Sequence, residues 1–71
     1  MSNKRIKVNI NGEILELEKN LSIKEMLKIL NIKPTNIAVE CNLQIVSKSQ
    51  YSSYKIQNNN KIEIVNFIGG G

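Results

Sequence analysis

An Asn-Gly pair near the N-terminus separates two stretches of alternating sequence, and this combination constrains the fold more than any other feature. Residues 5–10 and 13–18 alternate polar and apolar side chains, which is the period of half-buried β-strands. Asn11 and Gly12 suit a two-residue type I′ turn, because both central positions of that turn require a positive φ. The sequence therefore predicts a β-hairpin over residues 5–18.

The turn also fixes the register, which can be checked on both faces of the hairpin. A two-residue loop pairs Ile10 with Glu13. The pairs that follow are Val8–Leu15 and Ile6–Leu17 on one face, and Lys7–Glu16 and Arg5–Glu18 on the other. The first face is therefore apolar, and the second carries two opposite-charge pairs that contribute about 0.2–1 kcal/mol each. This agreement supports the hairpin.

Residues 22–30 have the pattern of a short amphipathic helix. Ser22 and Glu25 form a capping box, in which each side chain accepts a hydrogen bond from an N–H group at the helix start. Four apolar residues recur at helical spacing on one stripe: Ile23, Met26, Leu27 and Leu30. Asn31 and Pro34 end the helix, because Asn tolerates the left-handed region and Pro cannot continue a helix. We expect this helix to cover one face of a sheet.

The rest of the chain supplies three more strands. Residues 37–41 and 44–46 predict a third strand and a short fourth, and residues 61–67 predict the last strand after a turn at residues 58–60. A first hairpin, one crossover helix and a last strand beside the first strand describe an α+β fold of the ubiquitin-like β-grasp type. We expect a mixed sheet of four to five strands with one main helix packed on one face.

Few side chains of this chain are suited to catalysis. Its 71 residues are enough for one domain with a modest core, and they include no histidine and a single cysteine. No clustered carboxylates replace the histidine, so we predict neither a catalytic side chain nor a metal site. The sequence lacks a membrane-length apolar run and a signal peptide, and one cysteine excludes an internal disulfide. We therefore expect a cytoplasmic protein with no membrane partner.

Three features have both a structural and a functional interpretation. The formal net charge is +4, but the basic residues are spread along the chain and several fall beside Glu, so we interpret them as a solvated surface rather than an RNA-binding stripe. Cys41 shares the parity of Ile37 and Val39, which predicts a buried, inert thiol; a thiol active in sulfur transfer is the alternative. Tyr51 and Tyr54 are expected to pack an irregular segment, with partner recognition as the alternative.

Three consecutive glycines, Gly69, Gly70 and Gly71, follow the last strand. We expect residues 68–71 to form a flexible tail that reaches about 10 Å beyond the sheet, and residues 1–4 to form a disordered extension. A tail without side chains can enter a narrow channel in a partner. Its carboxylate, with a pKa of about 3.5, is an anion and a poor electrophile, so acyl chemistry there needs activation. The simplest activated form is an acyl-adenylate that a partner makes from ATP. A frayed end is the alternative when the glycines are considered alone.

Residues 62–71, Ile-Glu-Ile-Val-Asn-Phe-Ile-Gly-Gly-Gly, resemble the C-terminal signature of the ThiS family, the sulfur carriers of thiamine biosynthesis. Residues 8–13 resemble the first hairpin of that family and residues 38–46 its central strand pair, so the likeness covers residues 6–71. The Asn-rich turn at residues 58–60 and the basic extension at residues 1–5 depart from the family pattern. Neither departure touches the tail.

The resemblance implies that an E1-like enzyme adenylates Gly71 and that the adenylate becomes a thiocarboxylate, which donates sulfur to thiazole synthase. It implies no bound cofactor, because the activating partner uses the ATP, and it implies a sulfur donor such as a cysteine desulfurase. Three alternatives stay open: the small subunit of molybdopterin synthase, a ubiquitin-like protein modifier, and a passive β-grasp module that binds RNA or protein. Sensitivity of function to removal of Gly71 separates the carriers from the passive module.

The last strand also predicts a docking surface beside the tail. Val65 and Phe67 have the opposite parity to Ile62 and Ile64, so they should lie on the face of the sheet that the helix leaves open. Exposed apolar residues grouped beside a functional tail are typical of a docking patch, to which Ile14 is a further candidate. The alternative is that these residues are buried by the C-terminal segment or by a dimer.

Overall fold

The computed structural model describes residues 5–67. The expected extension at residues 1–4 and the expected tail at residues 68–71 lie outside the described residues. The elements follow the predicted order: β1 (Arg5–Ile10), β2 (Glu13–Glu18), α1 (Ile23–Ile29), β3 (Ile37–Cys41), β4 (Gln44–Val46), a short 3-10 turn (Lys48–Gln50) and β5 (Lys61–Asn66). The last strand therefore ends one residue earlier than predicted.

The predicted hairpin register is confirmed at every position. Val8 faces Leu15 and Ile10 faces Glu13, and the turn residues Asn11 and Gly12 have φ values of 52° and 89°. These positive values are the reason for the Asn-Gly sequence, since both positions of a type I′ turn require them. On the polar face, Arg5 Nε lies 3.6 Å from Glu16 Oε1, a diagonal contact rather than one directly across the strands.

The five strands form one sheet in the order β2-β1-β5-β3-β4. β5 is parallel to β1 and antiparallel to β3. The hairpin turn extends the short β1–β5 pairing, because the Asn11 side-chain oxygen accepts a hydrogen bond of 2.8 Å from the Ile64 N–H group. The last strand thus lies beside the first, and the predicted β-grasp arrangement is confirmed.

The predicted signals for the start and the end of α1 are both present in the structure. The Ser22 hydroxyl accepts from the Glu25 N–H group at 3.1 Å, and Glu25 Oε1 accepts from the Ser22 N–H group at 2.9 Å. At the other end Asn31 has a φ of 64°, and the Asn31 and Ile32 N–H groups donate to the carbonyls of Lys28 and Leu27. This is a Schellman motif, which satisfies carbonyls that the helix leaves unpaired.

The core lies between α1 and one face of the sheet. Its fully buried side chains include Val8, Ile23, Met26, Val39 and Ile62. The predicted helix stripe is therefore the buried face of α1, except that Leu30, the C-cap residue, is only partly buried. The segment after β4 closes the core from the side.

Tyr51 and Tyr54 anchor that segment to β3. Tyr51 is buried, and burial raises the pKa of its hydroxyl, an effect partly offset by a hydrogen bond with the backbone of Val39. A hydrogen bond with the Cys41 side chain raises the pKa of Tyr54, and burial raises it further. Ile56 is also buried, and its N–H group donates to the Leu21 carbonyl at 2.8 Å. The predicted packing role of the two tyrosines is confirmed.

Candidate functional site

The candidate site begins where β5 leaves the sheet. Asn66, the last residue of β5, pairs with Ile37, and Val65 pairs with Ala38. The Phe67 N–H group donates to the Asn36 carbonyl at 2.8 Å, one position beyond the strand. The sheet therefore directs the backbone as far as Phe67. The predicted tail residues Gly69, Gly70 and Gly71 follow it and lie outside the described residues.

Val65 and Phe67 lie on the open face, as their parity predicted. Their side chains are 49% and 57% exposed, whereas Ile62 on the other face of the same strand is fully buried. Apolar side chains exposed to this extent add less to the stability of the free chain than buried ones, because about half of their surface stays in water. Their arrangement beside the strand end suits a docking surface, and that role stays a prediction.

Ile14 is on the same face but not in the same cluster. It is 62% exposed and pairs with Asn9, which in turn pairs with Lys61 at the start of β5. Val65 lies four residues farther along β5 than Lys61, which is about 13 Å, and β2 is two strands away from β5. Ile14 is therefore separate from Val65 and Phe67. It is a second exposed position at the opposite end of the face.

Sequence reasoning missed the rest of the open face. Glu40 and Glu63 are directly opposite each other on β3 and β5, and Ile45 of β4 lies opposite Glu40 and is largely exposed. Glu63 is two residues before Val65 on the same face. Parity within Gln44-Ile-Val46 is the signal that indicates Ile45, because Val46 is buried and its neighbour must point outward.

Cys41 lies on the core side of β3. Its side chain is 2% exposed and shares a hydrogen bond with Tyr54, so the prediction of a buried thiol is confirmed. Within residues 5–67, no three His, Cys, Asp or Glu side chains form a group suited to a metal ion.

The model of the ThiS family matches residues 8–71, which includes both the sheet and the glycine-rich end. The chain belongs to the ThiS family. Among curated relatives, it is 39% identical over 66 residues to a thiazole synthase of Paramagnetospirillum magneticum, covering 93% of this chain and 20% of that protein. It is 34% identical over 71 residues to the uncharacterized protein ycf40 of Porphyra purpurea, covering 100% of both chains.

One relative of similar length is named as a sulfur carrier. The chain is 29% identical over 65 residues to the sulfur carrier protein ThiS of Bacillus subtilis, covering 90% of this chain and 98% of that protein. The crystal structure of the thiamine biosynthesis protein ThiS from Geobacter metallireducens matches with a TM-score of 0.81 at 20% identity, covering 93% of this chain and 100% of that one. This match confirms the β-grasp fold. The chain spans about one fifth of the length of the thiazole synthases it matches. Within residues 5–67, no helix is long and apolar enough to cross a membrane.

Proposed function

We propose that this protein is the sulfur carrier for the thiazole moiety of thiamine, and that Gly71 is its reactive residue. The observation that carries the proposal is the ThiS family match, which extends through residue 71 and so includes the three glycines. The similarity to the sulfur carrier ThiS of Bacillus subtilis over 98% of that protein supports the same role. In this proposal the protein is a cytoplasmic co-substrate rather than an enzyme.

The chemistry follows from the properties of a carboxylate. The anion is a poor electrophile, so an E1-like partner first joins it to ATP, forming an acyl-adenylate and releasing pyrophosphate. With sulfide as the simplest nucleophile, attack on the acyl carbon forms a C–S bond and releases AMP and a proton. The product is a thiocarboxylate. In the cell we propose a cysteine desulfurase as the source of the sulfur.

Thiazole synthase is the proposed acceptor. Two proteins with that name, from Paramagnetospirillum magneticum and Magnetococcus marinus, contain a segment similar to 93% of this chain. That segment is 20% of each of them, so a region like this carrier is joined there to a much larger remainder. A carrier and an acceptor that act on each other benefit from such a connection, because it raises their effective concentration.

Val65 and Phe67 are proposed to align the tail with a partner's active site. They are exposed on the open face, Val65 near the end of β5 and Phe67 directly after it. A partner that covers both side chains fixes the position of the strand end, and less orientational entropy is then lost when Gly71 enters the active site. ATP binds to the activating partner, and the carrier contributes only its carboxylate.

Intact mass tests the proposal. The protein is incubated with an E1-like activating enzyme, ATP and sulfide, and replacement of one oxygen by sulfur is followed and localised by fragmentation. Fragmentation is essential because oxidation of Met1 or Met26 adds nearly the same mass. We expect the added sulfur at Gly71, and no conversion of a variant that lacks Gly71. A folded deletion variant that still accepts sulfur would contradict the proposal.

A further inference from the structure

Lysines that are scattered in the sequence come together on the helix side of the molecule. Lys24 and Lys28 project from the exposed side of α1, and Lys48 lies across from them at the 3-10 turn. One depression of about 210 Å³ is lined by Lys24, Lys28 and apolar residues, and a second of about 220 Å³ is lined by Lys24 and Lys48. Three basic residues that are distant in sequence therefore lie near one another on this side.

The two depressions form one groove, because both are lined by Lys24 and Pro34. We name it the lysine-rimmed groove, and its principal residues are Lys24, Lys28 and Lys48 on the rim, and Leu27, Ile32 and Pro34 on the floor. The floor is aliphatic and the rim is cationic. This combination differs from the strand end of the open face, where Glu40 and Glu63 lie beside exposed Val65.

The rim lysines form no close ion pairs within the described part of the chain. Among residues 5–67, none of the three rim lysines has a carboxylate oxygen within 4.0 Å. Glu25 is the acidic residue closest in sequence, and its carboxylate caps the start of α1 by accepting from the Ser22 N–H group. That hydrogen bond is the main reason why the pKa of Glu25 is lowered, with smaller effects from Lys55 and Lys28. The rim lysines therefore form no ion pair among the described residues, and Glu25 interacts with Lys28 only from beyond 4.0 Å.

We propose that the lysine-rimmed groove binds a segment of a partner protein in which one aliphatic side chain is flanked by Asp or Glu. Charge complementarity selects the acidic flanks, and the apolar floor selects the aliphatic side chain.

An RNA strand fits this groove less well. Sequence-tolerant binding of single strands combines positive charge with aromatic side chains on which bases stack. The aromatic residue of the groove is Tyr51, which is buried, and the exposed Phe67 lies on the other face of the sheet. The floor instead offers Leu27, Ile32 and Pro34, which suit an aliphatic side chain.

The position of the groove adds a consequence for the carrier. The groove is on the helix side, whereas Val65 and Phe67 lie on the open face. An acidic partner in the groove therefore leaves the open face accessible, and two proteins can bind at once. This inference does not depend on the sulfur chemistry at Gly71.

The test is an NMR titration of the full-length ¹⁵N-labelled protein with the capped peptide Asp-Glu-Leu-Glu-Asp. Control peptides replace the leucine by serine or all four acids by their amides, and a uridine decamer represents RNA. We expect the acidic leucine peptide to shift the amides of Lys24, Leu27, Lys28 and Ile32, and to bind about fivefold or more tightly than either control peptide. The affinity should fall as salt rises.

Charge-reversal variants localise the binding. Lys24→Glu with Lys28→Glu should weaken peptide binding about tenfold or more. Lys48→Glu alone should weaken it severalfold, and this variant tests the groove even where the double variant of the helix does not fold. The matched control is Lys7→Glu with Lys61→Glu, which makes the same charge change on the open face and should leave affinity within about twofold. Equal binding of the serine peptide, equal loss in the control variant, or tighter binding of the uridine decamer at the same residues would each overturn the proposal.

Discussion

Replacement of Cys41 by alanine separates a structural thiol from a chemical one. The side chain is 2% exposed and shares a hydrogen bond with Tyr54. Cys41 lies directly opposite Ile62 on the neighbouring strand β5. The proposed sulfur chemistry takes place at Gly71 and assigns no step to this thiol. Cys41→Ala should therefore lower stability and leave thiocarboxylate formation intact.

The expected loss of stability follows from two contributions. Removing one buried heavy atom compares with an Ile→Val change, which costs about 0.5–1.5 kcal/mol. The Tyr54 hydroxyl also loses a partner, but Tyr54 is only half-buried, so water replaces much of that hydrogen bond. We expect a total of about 1–2 kcal/mol. At about 4–8 °C per kcal/mol for a domain of this size, the melting temperature should fall by about 4–16 °C.

Urea denaturation gives the free energy of unfolding, and intact mass gives the fraction converted to thiocarboxylate. The pKa of Tyr54 should also move towards its ordinary value, because the largest cause of its increase is removed, and tyrosinate absorbance measures this change. Ile62→Val is the matched control, since it removes one buried methyl group beside Cys41 at a similar cost. Normal conversion in the control and none in folded Cys41→Ala would refute the structural role of the thiol.

Four further predictions concern the exposed surface, the helix cap and the turn between β3 and β4. Phe67→Ala with Val65→Ser should hardly change the melting temperature but weaken binding to the activating enzyme severalfold, measured by calorimetry; a large loss of stability with unchanged affinity would return both residues to the core. Ser22→Ala should lower stability by about 0.5–2 kcal/mol through loss of the helix cap. Because the folded-state pKa of Glu25 is lowered, its stabilising effect is present above its unfolded pKa and is lost as pH falls through the folded pKa, so Glu25→Gln should flatten the acid limb of a stability–pH curve. Leu43→Gly should raise stability by about 1 kcal/mol in urea denaturation, because Leu43 has a φ of 70° in a two-residue turn and glycine adopts that conformation without strain.

The elements that were predictable from sequence depend on local rules. The hairpin register follows from alternation and from the Asn11-Gly12 turn, and both predictions are confirmed. The start and end of α1 follow from a capping box and an Asn that adopts positive φ. In each case the residues that determine the local structure are within a few positions of one another, so the local sequence pattern is sufficient to predict it.

The parts that were not predictable depend on contacts between distant segments. Ile56 is buried because the loop carrying it folds against Leu21, and no local period indicates this. Ile14 is separated from Val65 by the register of the parallel β1–β5 pair, and only two paired positions determine that register. The lysines of the groove look dispersed in sequence for the same reason, since a helix and a later turn bring them together.

The open face near the strand end is poorly suited to an isolated chain. Polar side chains at positions 65 and 67 would face water at no cost in core packing, because the core is on the other face. Directly opposed carboxylates are unfavourable across a strand pair, yet Glu40 and Glu63 are opposed on this same face, with Glu63 two residues before Val65. Stability of the free protein therefore accounts for neither feature. A partner that buries Val65 and Phe67 and places a cationic side chain beside the two carboxylates accounts for both features. Such a partner would cover the open face next to the end of β5, a few residues before Gly71 in the sequence.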